Sequence, residues 1–214
     1  TGAAYIFIED ETGNNAIIVS PGAAANINDD DIIAKKELIQ GSRVFMTQLE
    51  QSLDAADTAL SFAKEGGAIT ILNPAPAQPL GENILKLCDF VTPNEIEAEQ
   101  ITGIPVKSII DAEIAAGKLL EKGAKAAVIT LGEQGALFKD KNQVIHQPSY
   151  EVGPVVETTG AGDAFNGGLA VALAEEMPID KALRFACATA SISVTRQGTA
   201  PSMPDRNEIE ILLK

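Results

Sequence analysis

At 214 residues, with 16 lysines and arginines against 30 aspartates and glutamates, the chain carries a net charge of −14. That balance opposes nucleic-acid backbones and anionic membranes, which both demand clustered cations, and no run of Lys and Arg supplies them. The length suits one core-forming domain with at most an appendage, so the composition describes a soluble protein acting on small molecules. A polyanionic ligand would be held by backbone amides, dipoles and metal ions rather than by the overall field.

In chain order, Ala4 to Glu9 and Ala16 to Ser20 read as strands around a turn-rich connection, Asp10 to Asn15. From Pro21 the pattern alternates helix and strand. Asn28 or Asp29 caps a helix ending near Gly41, Val44 to Leu49 reads as a buried strand, and Ser52 to Glu65 as a helix closed by Gly66 and Gly67. Ala68 to Leu72 is the next strand. Asn73 to Pro76 is a proline-broken loop, followed by a short helix Asn83 to Leu87 and a short strand Asp89 to Thr92. Glu95 to Ile101 and Asp111 to Lys122 read as helices, and Lys125 to Leu131 as a strand apolar enough to be covered on both faces. A β-rich stretch from Ala136 to Val155 precedes helices Asp163 to Glu175, Asp180 to Thr195 and a last one from Asp205. The expected fold is α/β: a Rossmann-like, largely parallel sheet covered by helices, with ligands at the carboxyl ends of its strands. The expected division is a partial β-lid at 1–20 and an α/β core at 21–214.

Cys88 and Cys187 lie far apart in apolar stretches, which suits a reducing, cytoplasmic setting better than a disulfide. His146 is the only histidine, so histidine-based triads are excluded in practice. No apolar run reaches the about 18 residues of a membrane span, and the first twenty residues lack a basic signal-peptide start.

Four constellations bear chemistry. Thr158 to Phe165 places Gly160, Ala161 and Gly162 at the start of an apolar helix with Asp163 beside them. Such a helix start offers unpaired amides to an anion, and a carboxylate there suits proton abstraction from an attacking hydroxyl. Ordinary helix capping explains the same residues. Asn94 and Glu97 stand three apart at a strand-to-helix junction, suited to Mg²⁺ through water or, again, to capping. Thr130, Leu131, Gly132, Glu133, Gln134 and Gly135 form a strand end opening into a glycine loop that a nucleotide can approach, or a hairpin turn. Glu50 ends the strand begun at Val44 and is equally readable as a solvated terminus.

Taken together, Leu72 to Ala77, Thr92 to Glu99, Thr130 to Gly132, Thr158 to Gly167 and Val194 to Gly198 resemble, in order, segments of the ribokinase branch of the PfkB carbohydrate kinase family. The resemblance extends over essentially all of the chain. It implies a kinase transferring the γ-phosphoryl of ATP to the primary hydroxyl of D-ribose, with Asp163 as base and the amides of Gly160, Ala161 and Gly162 as anion hole. It implies further that Asn94 and Glu97 organise Mg²⁺ and its waters, that Thr130 to Gly135 line the nucleotide with Cys187 near the adenine, and that Glu50 contacts the sugar. A monovalent cation, usually K⁺, would lie by Glu157, Thr159, Ser193, Arg196, Gly198 and Ser202, several acting through carbonyls. Position 157 is commonly Asp in the family, so the Glu found here puts cation affinity in question.

The family's N-terminal segment, with its first strands, part of the lid and a glycine-rich sugar-binding stretch, has no counterpart in the chain. Thr1 to Ser20 resembles the remaining half of a lid that covers sugar and pairs subunits into a homodimer. An intact enzyme of which this is a piece is the expectation. The alternatives are a non-catalytic nucleotide-binding or dimerisation module and a kinase of the same family acting on fructose, a nucleoside or another sugar.

Overall fold

The computed structural model describes residues 2–8 and 15–214. Of the connection expected at 10–15, residues 10–14 lie outside the described residues and Asn15 opens the second strand. Those strands, β1 (Ala3–Ile8) and β2 (Asn15–Ser20), pair antiparallel from Ala3 opposite Ser20 to Ile8 opposite Asn15.

After a 3-10 turn at Gly22–Asn26, the single helix expected up to Gly41 is two short ones, α1 (Asp29–Ile33) and α2 (Lys36–Gln40). Asn28 does cap the first: its Oδ1 accepts from the amides of Asp30 and Asp31. Strand β3 (Val44–Thr47) stops two residues sooner than expected, and α3 (Leu53–Glu65) starts on the Ser52 hydroxyl, which accepts from the Ala55 amide. Next come β4 (Ile69–Leu72), α4 (Glu82–Lys86), β5 (Phe90–Val91), α5 (Glu95–Thr102), α6 (Ile109–Glu121) and β6 (Ala126–Thr130). A 3-10 turn at Gly132–Gln134 leads to β7 (Ala136–Asp140) and β8 (Val144–Gln147).

These six strands form one sheet in sequential order, β3 to β8, with β3, β4, β5 and β6 all parallel. The α/β expectation is met. Parallel neighbours need crossovers, and the helices supply them: α3 and α4 bury Leu60, Ile84 and Leu85 with Leu72 and Val91, while α5 and α6 bury Ala98, Ala116 and Leu119 with Ala127 and Ile129. At the other end of the strands Asp89 accepts from the amide and hydroxyl of Thr70 and pairs with Lys125 at 2.5 Å. Burial pushes its carboxyl up, but Lys125, Thr70 and Lys64 outweigh burial and hold it below the usual aspartate value.

The remaining helices are α7 (Ala161–Ala174), α8 (Ile179–Ser193) and α9 (Arg206–Leu212). Helices α7 and α8 approach closely at Gly168, where a Cβ would stand 2.7 Å from Thr189 Oγ1 and 3.0 Å from Ala186 Cα. The chain divides into two compact units, one of 1–2, 21–131 and 137–146, the other of 3–20, 132–136 and 147–214. One departure bears on the site. The β-rich stretch expected up to Val155 ends at Gln147, because Pro148 and Pro154 lack the amides a ladder needs. The amides of Val156 and Glu157 donate instead to the carbonyl of Val194, just past α8.

Candidate active site

In the first unit, Asn94 and Glu97 sit where β5 gives way to α5. They form a capping box: Asn94 Oδ1 accepts from the Glu97 amide at 2.8 Å and Glu97 Oε2 from the Asn94 amide at 2.9 Å. So the capping alternative is realised, and it fixes rather than abolishes the carboxylate. Glu97 is 8% exposed. Burial chiefly, with nearby Glu95, pushes its carboxyl above the usual glutamate range, against the pull of the Asn94 amide. A buried carboxylate kept partly unpaid in this way favours a cation beside it. The junction is held in place from two sides. Thr130 bridges to Asn94 in parallel fashion, its amide donating to Pro93 O at 3.0 Å, and Asn73 Nδ2 donates to Thr92 O at 2.9 Å. Asn73 belongs to this support, and its signal in the sequence is an amide side chain ending an apolar strand. Glu50 is exposed in the turn between β3 and α3.

In the second unit, the Gly132–Gln134 turn is closed by the Gly135 amide on Gly132 O at 3.0 Å. Gly135 has a φ of +89°, and a Cβ on it would fall 2.1 Å from Gln147 O. Only glycine fits that crossing. Ser149 Oγ donates to Glu133 O at 2.5 Å, so Gly132, Glu133 and Gln134 stand exposed but anchored. Cys187 is buried on α8 with its thiol 3.8 Å from Gln147 O, and burial pushes it up to about 12, so it is not a nucleophile.

The same unit holds the glycine loop. Gly160 takes the left-handed conformation, φ +83°, as the N-cap of α7, and it has no side chain with which to cap the helix. The Ala161 amide is engaged by Thr158 O at 3.1 Å. Gly162 and Asp163 are exposed in the first turn of a 14-residue helix, where the field of aligned peptides is positive. Asn166 is buried one turn on and donates from Nδ2 to Gly162 O at 3.0 Å. A polar residue inside an apolar helical run was its signal.

Behind the loop, buried Glu157 accepts from the Gly198 amide at 2.8 Å through Oε2. Thr159 is also buried, and its Oγ1 is, among the described residues, the one buried side-chain polar atom without a hydrogen-bond partner. The hydroxyls of Ser193 and Ser202 donate to Ala190 O and Thr199 O, and Arg196 is ion-paired with Glu208. The Ser193 carbonyl in turn accepts from the Arg196 amide at 3.2 Å, so these side-chain tips are all engaged within the segment. Among the described residues, no three His, Cys, Asp or Glu side chains gather to chelate a metal, and no helix is long and apolar enough to cross a membrane.

A glycine at a long helix start, a glycine turn and a buried carboxylate at a strand end are separate features that proteins of phosphate chemistry commonly combine. On a parallel α/β sheet, such features fit the class of phosphoryl-transfer proteins. Comparison with known proteins narrows the class. Residues 1–206 match the model of the pfkB family of carbohydrate kinases, and the chain belongs to that family. It is 38% identical over 210 residues to a ribokinase of Haemophilus influenzae, covering 97% of this chain and 67% of the relative. A deoxyribokinase of Salmonella typhi is 36% identical over 205 residues, covering 95% and 66%. Arabidopsis thaliana ribokinase, solved in complex with ribose and ATP, superposes with a TM-score of 0.89 at 31% identity, covering 100% of this chain and 69% of that one. For Thermotoga maritima ribokinase the TM-score is 0.86 at 38% identity, again covering 100% and 69%. The chain thus spans about two thirds of the length of the curated relatives it matches.

Proposed function

We propose that the protein is an ATP-dependent sugar kinase that phosphorylates the primary hydroxyl of D-ribose to ribose 5-phosphate. The observation that carries this reading is the glycine start of α7, with Gly160 in the left-handed conformation as N-cap and Asp163 exposed in the first turn. Asp163 takes the proton of the sugar hydroxyl as that oxygen attacks the γ-phosphorus in line; the bond to the β,γ-bridging oxygen breaks and ADP leaves. The amides of Gly160 and Gly162 meet the charge growing on the phosphoryl oxygens, with Ala161 already engaged in the turn. Loss of a donor of this kind costs about 10² to 10³ in rate.

The nucleotide lies along Thr130 to Gly135, whose glycines allow close backbone approach, and its adenine lies by Cys187. Asn94 and Glu97 are suited to hold Mg²⁺ through its waters, and that ion would offset charge on the transferring phosphates. The buried Glu157 carboxylate, the orphaned Thr159 hydroxyl and the backbone of Ser193, Arg196, Gly198 and Ser202 suit a monovalent cation such as K⁺, which would firm the loop. Glu50, exposed beside β3, would reach the sugar. Exposed Tyr5, Phe7, Ile18 and Val19 suit a homodimer built through the β1–β2 pair. Cys88 and Cys187, both free and buried, suit a reducing cytoplasm.

The deoxyribokinase relative supports 2-deoxyribose as a second acceptor. Purified protein given ATP, Mg²⁺ and K⁺ with ribose, 2-deoxyribose, fructose or a nucleoside tests both readings. ADP release is expected with ribose above all. Nucleotide binding without ADP release on any sugar would leave a non-catalytic module and overturn the kinase reading for this chain.

A further inference from the structure

The cations of this acidic chain are scattered in sequence, yet the second unit gathers several of them. Lys181 and Arg184 from α8 and Arg206 and Lys214 from in and after α9 line a cleft of about 290 Å³, near the lower end of the range for small-molecule sites. Apolar surface from Met177 and Leu213 completes the wall.

The charges are not equivalent. Arg206 is already answered by Glu175 and Glu210 and lies over the Phe185 ring, so it braces the wall more than it recruits a ligand. Arg184 donates to two neutral oxygens, the Tyr150 hydroxyl at 3.2 Å and Leu213 O at 3.5 Å, with Asp180 nearby in the first turn of α8. Lys181 is exposed at the same end of α8, whose N-terminus, at Pro178, has no side-chain cap. Among the described residues the acidic side chain in the lining is Glu210, which is paired with Arg206. The cleft therefore sets the ammonium group of Lys181 and the guanidinium of Arg184 beside an apolar wall, in a protein whose net charge is −14.

We propose that this cleft binds a phosphate monoester with a short apolar body, its dianion on Lys181 and Arg184 and its body against Met177 and Leu213. It is a different site from the glycine loop. Met177 follows the C-terminal end of α7 and Asp163 opens its N-terminal end, and a 14-residue helix separates them by about 20 Å. Arg184 also holds Tyr150, in the 148–156 segment that runs on to Glu157 and the loop. A dianion that draws Arg184 toward the cleft loosens that hold, so occupancy would be felt along the segment.

Amide chemical shifts of the isotopically labelled 214-residue chain test this, with phenyl phosphate as probe and inorganic phosphate and phenol as partial probes. Expected are saturable shifts over 177–184 and 206–214, about tenfold weaker with inorganic phosphate and absent with phenol. Lys181→Glu, on an exposed side chain, should weaken the phenyl phosphate response about tenfold or more while shifts caused by ATP at 158–164 stay as they are. Arg184→Gln should weaken it as well. Shifts confined to 158–164, cleft shifts that persist in both variants, or equal affinity for inorganic phosphate would overturn the proposal. Sugar phosphorylation is read by ADP release at another site, so either proposal can fail without the other.

Discussion

Replacing Thr159 by valine probes the cation proposal through stability rather than turnover. The Thr159 side chain is 9% exposed and its hydroxyl lacks a partner. Burying such a hydroxyl costs about 1–3 kcal/mol in proteins, and valine keeps the branched shape without the oxygen. With a bulky organic ammonium as the only cation, Thr159→Val should stabilise the fold by about 1–3 kcal/mol. For a chain of this size that raises the thermal midpoint by about 2–12 °C, at about 2–4 °C per kcal/mol. Potassium should change the order. An ion that binds only the folded chain adds about 2.7 kcal/mol at a hundredfold excess over its dissociation constant, a gain the variant forfeits in part with its lost ligand. The assay is differential scanning calorimetry of both proteins in tetramethylammonium chloride and in KCl at equal ionic strength. A variant that keeps the same advantage in both salts, or that is the less stable protein in both, refutes the reasoning.

Further outcomes follow from the same geometry. Gly135→Ala must place a Cβ 2.1 Å from Gln147 O at a φ of +89°, and left-handed strain plus overpacking amounts to about 2–5 kcal/mol; urea unfolding should show that loss, together with weaker ATP binding. Glu97→Gln should raise the Mg²⁺ requirement about tenfold. Because burial raises the Glu97 carboxyl, the folded chain holds its proton at pH values where the unfolded chain has lost it, so stability falls as pH rises from the ordinary glutamate value through the raised one. The glutamine variant should flatten unfolding free energy against pH across that window. Phe7 is 60% exposed on β1, and Phe7→Glu should convert a dimer to monomers in size-exclusion chromatography with light scattering if the strand pair is the interface.

The sequence announced elements whose signals are local. Glycines at 160 and 135 stand where the backbone takes positive φ, and Asn28, Ser52, Asn94 and Asp205 are the caps their residue types suggest. Alternation of strand and helix gave the parallel sheet. What escaped depends on partners distant in the chain. Val152, Val155 and Val156 look like a strand, but Pro148 and Pro154 deny them a ladder and Val194 O takes the next amides. Nothing in Ala34 or Lys35 marks the break between α1 and α2. Asn73 and Asn166 gain meaning only once Thr92 O and Gly162 O are beside them, and the basic cleft exists only where α8 meets α9.

The central claim is that Asp163 is the base of a sugar kinase. Asp163→Asn preserves the size and the polar character of the side chain and removes its basicity. Turnover with ribose and ATP should fall by about 10² to 10⁴, the span general-base catalysis supplies, while nucleotide affinity measured by calorimetry stays within about twofold. Normal turnover by that variant, in an assay where the parent protein releases ADP on ribose, would contradict the account.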